Sequence, residues 1–224
     1  MAKSLRRSAG VLVAAVLAVG LSDAQAAVIS FTNSNPITIP ATGTSGSATP
    51  FPSSILVSGL TDAVTKVTVD IFGFTHAFPR DVDMLLVGPL GQTVMLMSDT
   101  GGGLGQPASN LFLTFDDDAL GFIAPDAALT TGTYKPTNTS FADSGDVFDA
   151  PAPAGPYGSL LSQFNGLGPN GTWNLFIRDD ETNDIGQILS GWRVNLTTQV
   201  VPVPAAVWLL GAGLLGLVGL ARRR

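Results

Sequence analysis

Through residues 27–200 the apolar side chains recur with a period of two. Val67, Val69 and Ile71 alternate with Thr68 and Asp70, the pattern of a strand with one face turned inward. The same rhythm returns in Trp173, Leu175 and Ile177, and again in Trp192, Val194 and Leu196. Residues 28–31, 37–39 and 111–115 read as further extended pieces. Residues 81–87 and 93–97 flank Gly88-Pro89-Leu90-Gly91. Proline at the second turn position and glycine at the fourth mark a β-turn, so these two form a hairpin. An acidic loop, residues 179–184, joins the last two strands. No stretch of this region carries a sustained apolar repeat of helical period. The prediction is an all-β domain, an antiparallel β-sandwich or jelly roll of about eight strands.

The two ends follow other rules. Lys3, Arg6 and Arg7 precede an apolar run over 9–21, and Ala24-Gln25-Ala26 supplies small residues at a cleavage position. That is a secretory signal peptide, cut after Ala26. At the other end an apolar run over 205–221 stops at Arg222, Arg223 and Arg224. As a helix it is about 25 Å long, close to the hydrocarbon thickness, and residues 200–203 extend it. The arginines hold the C-terminus on the cytoplasmic side, which leaves the domain outside. Gly211, Gly213, Gly216 and Gly219 form a small-residue stripe suited to helix pairing or to recognition by a membrane enzyme. Three segments are expected: 1–26 signal peptide, 27–200 β-sandwich, 201–224 transmembrane anchor.

Composition sharpens this picture. The chain has no cysteine, so disulfides do not staple it. Six of its eleven Lys and Arg sit in the terminal segments, and the exported domain carries a net charge of about −11. Phosphate binding needs clustered cations, so nucleic acid is excluded as a partner. Glu181 is the only glutamate, and the remaining acids are aspartates, which favour turns, caps and metal loops over helical surfaces.

The order of short blocks is informative. It runs from His76-Ala77-Phe78-Pro79-Arg80-Asp81-Val82-Asp83 through Gly88-Pro89 and Met97-Ser98-Asp99-Thr100-Gly101-Gly102 to Phe115-Asp116-Asp117. Gly132-Thr133-Tyr134-Lys135-Pro136, Phe164-Asn165-Gly166, Pro169-Asn170-Gly171-Thr172-Trp173, Asp179-Asp180, Asp184-Ile185-Gly186 and Gly191-Trp192 follow. Over residues 37–196 this series resembles the P domain, or Homo B domain, that follows the catalytic domain of subtilisin-like proprotein convertases. The resemblance implies a jelly roll of the galactose-binding-like type whose role is to stabilise an attached protease. The tail resembles the PEP-CTERM sorting signals of Gram-negative bacteria that make exopolysaccharide, which an exosortase processes. Here Val203 stands between Pro202 and Pro204 where the usual motif has glutamate, as in the Val-Pro-x-Pro-Ala variant.

A search for chemistry gives three candidates. His76 is the only histidine and has no Gly-x-Ser-x-Gly elbow to serve, so it reads as a structural residue bonded to a nearby loop. Asp81 and Asp83, two apart on a strand and hence on one face, suit a carboxylate pair for hydrolysis, a cation site or a solvated edge. Ca²⁺ prefers several oxygens from Asp-rich loops. Asp81/Asp83, Asp116/Asp117/Asp118 and Asp179/Asp180/Asp184 are the candidate Ca²⁺ ligands, with turn capping as the alternative. Trp173 and Trp192 belong to the core, leaving Tyr134, Tyr157, Phe78 and Phe148 as candidates for stacking on a sugar. No catalytic residue is expected. The expectation is an exported, non-catalytic module, anchored in the inner membrane facing the periplasm or released to the cell surface. Its expected partners are a processing enzyme of exosortase type and an exopolysaccharide or envelope protein. An accessory role beside a separately encoded subtilisin-like endopeptidase, and hydrolysis by aspartates, are the alternatives.

Overall fold

The computed structural model describes residues 26–139 and 145–199. Most of the expected signal peptide, Ala24 included, and the expected tail with Pro202, Pro204, Arg222, Arg223 and Arg224 lie outside the described residues. Among the described residues no helix is long and apolar enough to cross a membrane.

The chain is all-β. Its strands are β1 (Ala27–Asn33), β2 (Ile37–Ile39), β3 (Gly46–Ser47), β4 (Ser53–Val57), β5 (Val64–His76), β6 (Val82–Val87) and β7 (Thr93–Ser98). They continue with β8 (Ala108–Phe115), β9 (Gly132–Tyr134), β10 (Thr137–Asn138), β11 (Gly171–Asp179), β12 (Gly186–Ile188) and β13 (Trp192–Thr198). One sheet runs β1-β13-β5-β12-β2, with β8 and then β9 added beside β5. The other runs β10-β7-β6-β11-β3, with β4 also on β11.

Two features differ from the sequence expectation. The sheets are mixed, because β8 with β9 and β10 with β7 pair in parallel. β9 follows β8 only after the irregular residues 116–131, and β10 is separated from β7 by β8 and β9, so no tight turn forces either pair antiparallel. The strands also outnumber the expected eight, since several are only two or three residues long. β12 is the instructive case. It interrupts what reads as one loop between β11 and β13, pairing Gly186 with His76 and with Ile39.

The predicted alternation holds where it was strongest. Val67, Val69, Ile71, Trp192, Val194 and Leu196 from one sheet meet Ile55, Met84, Leu86, Trp173, Leu175 and Ile177 from the other in one buried cluster. The hairpin closes as expected, with Gly91 N–H donating to Gly88 O at 3.0 Å and Gly88 N–H to Gln92 O at 2.9 Å. Each apolar side chain withdrawn from water contributes about 1.5–3 kcal/mol against the entropy of ordering the chain.

The second sheet is covered on both faces. Leu85, Val87, Met95 and Phe176 point away from the main core, into a separate cluster with Phe148, joined by Phe51, Ala152 and Tyr157. Residues 145–158 supply that cover. Gly158 holds the segment to the sheet, its carbonyl accepting from Met95 N–H at 2.8 Å and its N–H donating to Thr93 O at 3.0 Å. Ser47 Oγ donates to Asp149 Oδ2 at 2.6 Å, and Arg178 Nη1 to Val147 O at 2.7 Å. Phe148 packs edge-on to Tyr157 at 5.7 Å. Phe148→Ala is expected to cost about 3 kcal/mol, read as a lowered urea midpoint. A change below about 1 kcal/mol would show that the cover is loosely packed.

The outer face of the first sheet is mixed, with Phe72 stacked on Phe112 at 5.2 Å beside a polar cluster. Asp70 is buried there by its partners, accepting from Arg193 Nε at 2.9 Å, Asn195 Nδ2 at 2.9 Å and Thr114 Oγ1 at 2.7 Å.

Candidate functional site

The sequence places aspartates at the ends of three strands, and the fold sorts them into groups. β5 ends at His76, β6 begins just after Asp81, and β11 ends at Asp179. Register sets Asp179 opposite Val82, and Asp180 N–H donates to Asp81 O at 3.0 Å. Asp184 arrives from the loop before β12. Gly186 lies so close to the imidazole that a Cβ there would meet His76 Cδ2 at 2.2 Å. The loop therefore presses onto the ring only because residue 186 has no side chain.

The first group is His76, Asp179 and Asp184, with Asp81 beside it. All four are buried, and His76 is only 1% exposed. His76 Nε2 is 3.2 Å from Asp179 Oδ2, and Nδ1 is 2.8 Å from Phe78 O and 3.5 Å from Asp184 Oδ1. Burial raises the Asp184 carboxyl above its ordinary range, and His76 opposes the rise. Burial also pushes Asp81 up to about 6, reinforced by the charges of Asp184 and Asp179.

The second group surrounds Asp83, which is 3% exposed. Burial pushes its carboxyl up to about 8, reinforced by the charges of Asp180, Asp146 and Asp99 and resisted by a hydrogen bond with Ser98. Ser98 Oγ donates in turn to Asp146, whose other oxygen accepts from Asn138 Nδ2 at 2.8 Å. Asp99 adopts a left-handed backbone, φ 55°, a conformation aspartate tolerates better than most residues. The expectation that Asp81 and Asp83 share a strand face is corrected. Asp81 lies in a short 3₁₀ turn, Pro79–Asp81, ahead of the strand, and the two carboxyls answer to different neighbours.

The third group stands apart. Lys66 Nζ reaches Asp116 Oδ1 at 2.9 Å and Asp118 Oδ2 at 2.6 Å. Asp117 accepts from the N–H groups of Leu161 and Ser162 at 2.9 and 2.8 Å. The mutual repulsion expected of three adjacent aspartates is thus relieved by one lysine and by the start of the 3₁₀ turn Leu161–Phe164. These residues clasp two loops together.

The aromatic candidates are also accounted for. Phe148 is buried, and Tyr157 spends its hydroxyl on Pro153 O at 3.0 Å. Tyr134 donates to Thr130 O at 2.9 Å. Phe78 is half-buried beside His76. No shared stacking platform joins these four. Trp173 and Trp192 lie in the core as expected, with Nε1 donating to Pro169 O at 3.0 Å and to Ser53 Oγ at 2.9 Å.

Sequence reasoning missed Asp99 and Asp146 as neighbours of Asp83, and His76 as a member of an acidic group. Asp99 had a local signal in Ser98-Asp99-Thr100-Gly101. Asp146 had none, because only the covering segment brings it to Ser98.

No family model matches this chain, and no curated protein matches it. Among solved structures, the serine protease of Aeromonas sobria aligns with 77% of this chain at 12% identity and a TM-score of 0.34. The complex of that protease with its chaperone aligns with 78% at 14% identity, again with a TM-score of 0.34. The chain spans 27% and 28% of the length of those proteins. At that degree of likeness the site has to be interpreted from its own residues.

Proposed function

We propose that this chain is a non-catalytic β-sandwich of P-domain, jelly-roll type, a binding or structural module of the cell envelope or extracellular matrix. In this reading a signal peptide exports it, and a C-terminal PEP-CTERM-like tail anchors it or passes it to an exosortase-type enzyme. The observation that carries the non-catalytic part is the enclosure of His76. The chain's one imidazole is closed off from solvent, with one nitrogen against Phe78 O and the other against Asp179. A general base must reach a substrate proton within hydrogen-bond distance, and a ring enclosed in this way does not. Hydrolysis by Asp81 and Asp83 is disfavoured for a related reason, since both carboxyls are buried and belong to separate groups.

Mass spectrometry of the protein recovered from its native cells tests the delivery part. A chain beginning at Ala27 and ending near Pro204 is the expected product, and one ending at Arg224 would mean a permanent anchor. A chain that keeps Met1 and stays in the cytoplasm would overturn the reading. Recovery in a stable complex with an endopeptidase would favour the accessory role instead.

A further inference from the structure

The group around His76 holds more acceptors than donors. Its ring nitrogens have distinct surroundings, and these fix the tautomer. Nδ1 lies 2.8 Å from the Phe78 carbonyl oxygen, and Asp184 Oδ1 comes within 3.5 Å without forming a hydrogen bond. The Phe78 amide nitrogen also approaches Nδ1, at 3.2 Å. The carbonyl is the closer of the two, which favours the proton on Nδ1. Nε2 then turns its lone pair toward Asp179 Oδ2 at 3.2 Å. With the ring protonated on Nδ1 alone, two acceptors face each other at that distance, and either a second proton or a metal ion has to lie between them.

A second proton on the ring would meet part of this need. It would serve Asp179 Oδ2, yet Asp179 Oδ1 and Asp184 Oδ1 have no hydrogen-bond partner. Both carboxylates are at least nine-tenths buried, Asp179 at 0% exposure and Asp184 at 9%. Buried carboxylate oxygens are otherwise almost always paired. A single cation that reaches both aspartates would supply the missing partner of each.

We propose that His76 Nε2, Asp179 and Asp184 bind a divalent first-row cation of the Zn²⁺ type. One ligand atom from each residue lies within 4.8 Å of the other two. Two ligands about 2.1 Å from a tetrahedral ion are separated by about 3.4 Å, and Nε2 and Asp179 Oδ2 are 3.2 Å apart. The bond from Nδ1–H to a backbone carbonyl is the outer contact that orients a metal-bound imidazole. The ligand chemistry also narrows the ion. Ca²⁺ takes six to eight oxygens, whereas one imidazole with two carboxylates suits a borderline ion and leaves a position for water. The proposal gives Asp179 and Asp184 a histidine as co-ligand and a cation other than the Ca²⁺ of the sequence expectation. The inference is independent of the proposed function, since an anchored module and a released one can both hold the ion.

The test uses the full chain, purified without a histidine tag, stripped with EDTA and titrated with Zn²⁺ and, separately, with Ca²⁺. His76 is the only histidine in the sequence, so the imidazole ¹⁵N signals need no assignment. The expected result is one Zn²⁺ per chain, a raised Tm, and a ring that keeps its proton on Nδ1 while Nε2 takes a metal-bound shift. Asp184→Asn, in a loop with an exposed edge, is expected to fold and to weaken Zn²⁺ binding about tenfold or more. Absence of stoichiometric binding would overturn the proposal. So would a ring that stays doubly protonated at saturating Zn²⁺, an Asp184→Asn variant that binds undiminished, or Ca²⁺ displacing Zn²⁺ without moving the ring signals.

Discussion

In EDTA, the domain is expected to lose stability as the pH rises from about 4 to about 8, with Asp83 as the main cause. Its carboxyl is held at about 8 in the folded state, against an ordinary value of 3.8. Between those values the folded chain keeps a proton that the unfolded chain has released. Folding then takes up a proton, and stability falls with rising pH. The contribution is fully present below about pH 4 and fully lost above about pH 8. A shift of this size corresponds to a loss on the order of 5 kcal/mol. Asp81, pushed up to about 6, acts in the same direction over a lower window. Asp83→Asn keeps the shape without the charge. It is expected to leave stability at pH 4 nearly unchanged and to raise it by several kcal/mol at pH 8, measured by urea denaturation across the range. Parallel profiles for the two proteins would show that Asp83 ionises in the fold without penalty.

Trp192→Ala is expected to cost about 4–5 kcal/mol, a large share of what holds a domain of this size together. The side chain is fully buried. It stands opposite Ile71 on one side and Asn33 on the other. Its indole N–H donates across the sandwich to Ser53 Oγ at 2.9 Å, so the residue links β13 of one sheet to β4 of the other. Asn33 Nδ2 reaches the same Ser53 hydroxyl at 3.3 Å and Ser54 O at 3.0 Å. Removing the indole leaves a cavity and takes one donor from a buried hydroxyl. Trp192→Phe, which restores much of the volume but not the N–H, is expected to recover more than half of the loss. Equal damage from both variants would assign the effect to the hydrogen bond instead of the packing.

The readable parts of this fold are those where one local period decides. Val67, Val69 and Ile71 face inward because alternation has a single solution when one face meets the core. Leu85, Met95 and Phe176 escaped that logic. Their cover is an irregular segment that arrives from residues 145–158 and has no periodicity to announce it. The unbroken run Met84-Leu85-Leu86-Val87 was the available sign, since strands buried on both faces lose their alternation. The candidate site was legible as residue types but not as a constellation. His76 and Asp179 are 103 positions apart, and only the pairing of β6 with β11 and of β12 with β5 brings them together. Lys66 and Asp118, 52 positions apart, were hidden for the same reason. A run of aspartates looks unrelieved until the fold supplies its lysine.

The place of β13 has a mechanical consequence. It lies between β1 and β5, antiparallel to both, with Ala27 paired to Thr198 and Asn33 to Trp192. A pull directed along this strand would load the rungs on both sides together and would not peel them one at a time. A strand held in that shear geometry yields only when many hydrogen bonds fail at once. Among the described residues β13 is the strand partner that holds β1 in the sheet, so its loss would release both strands.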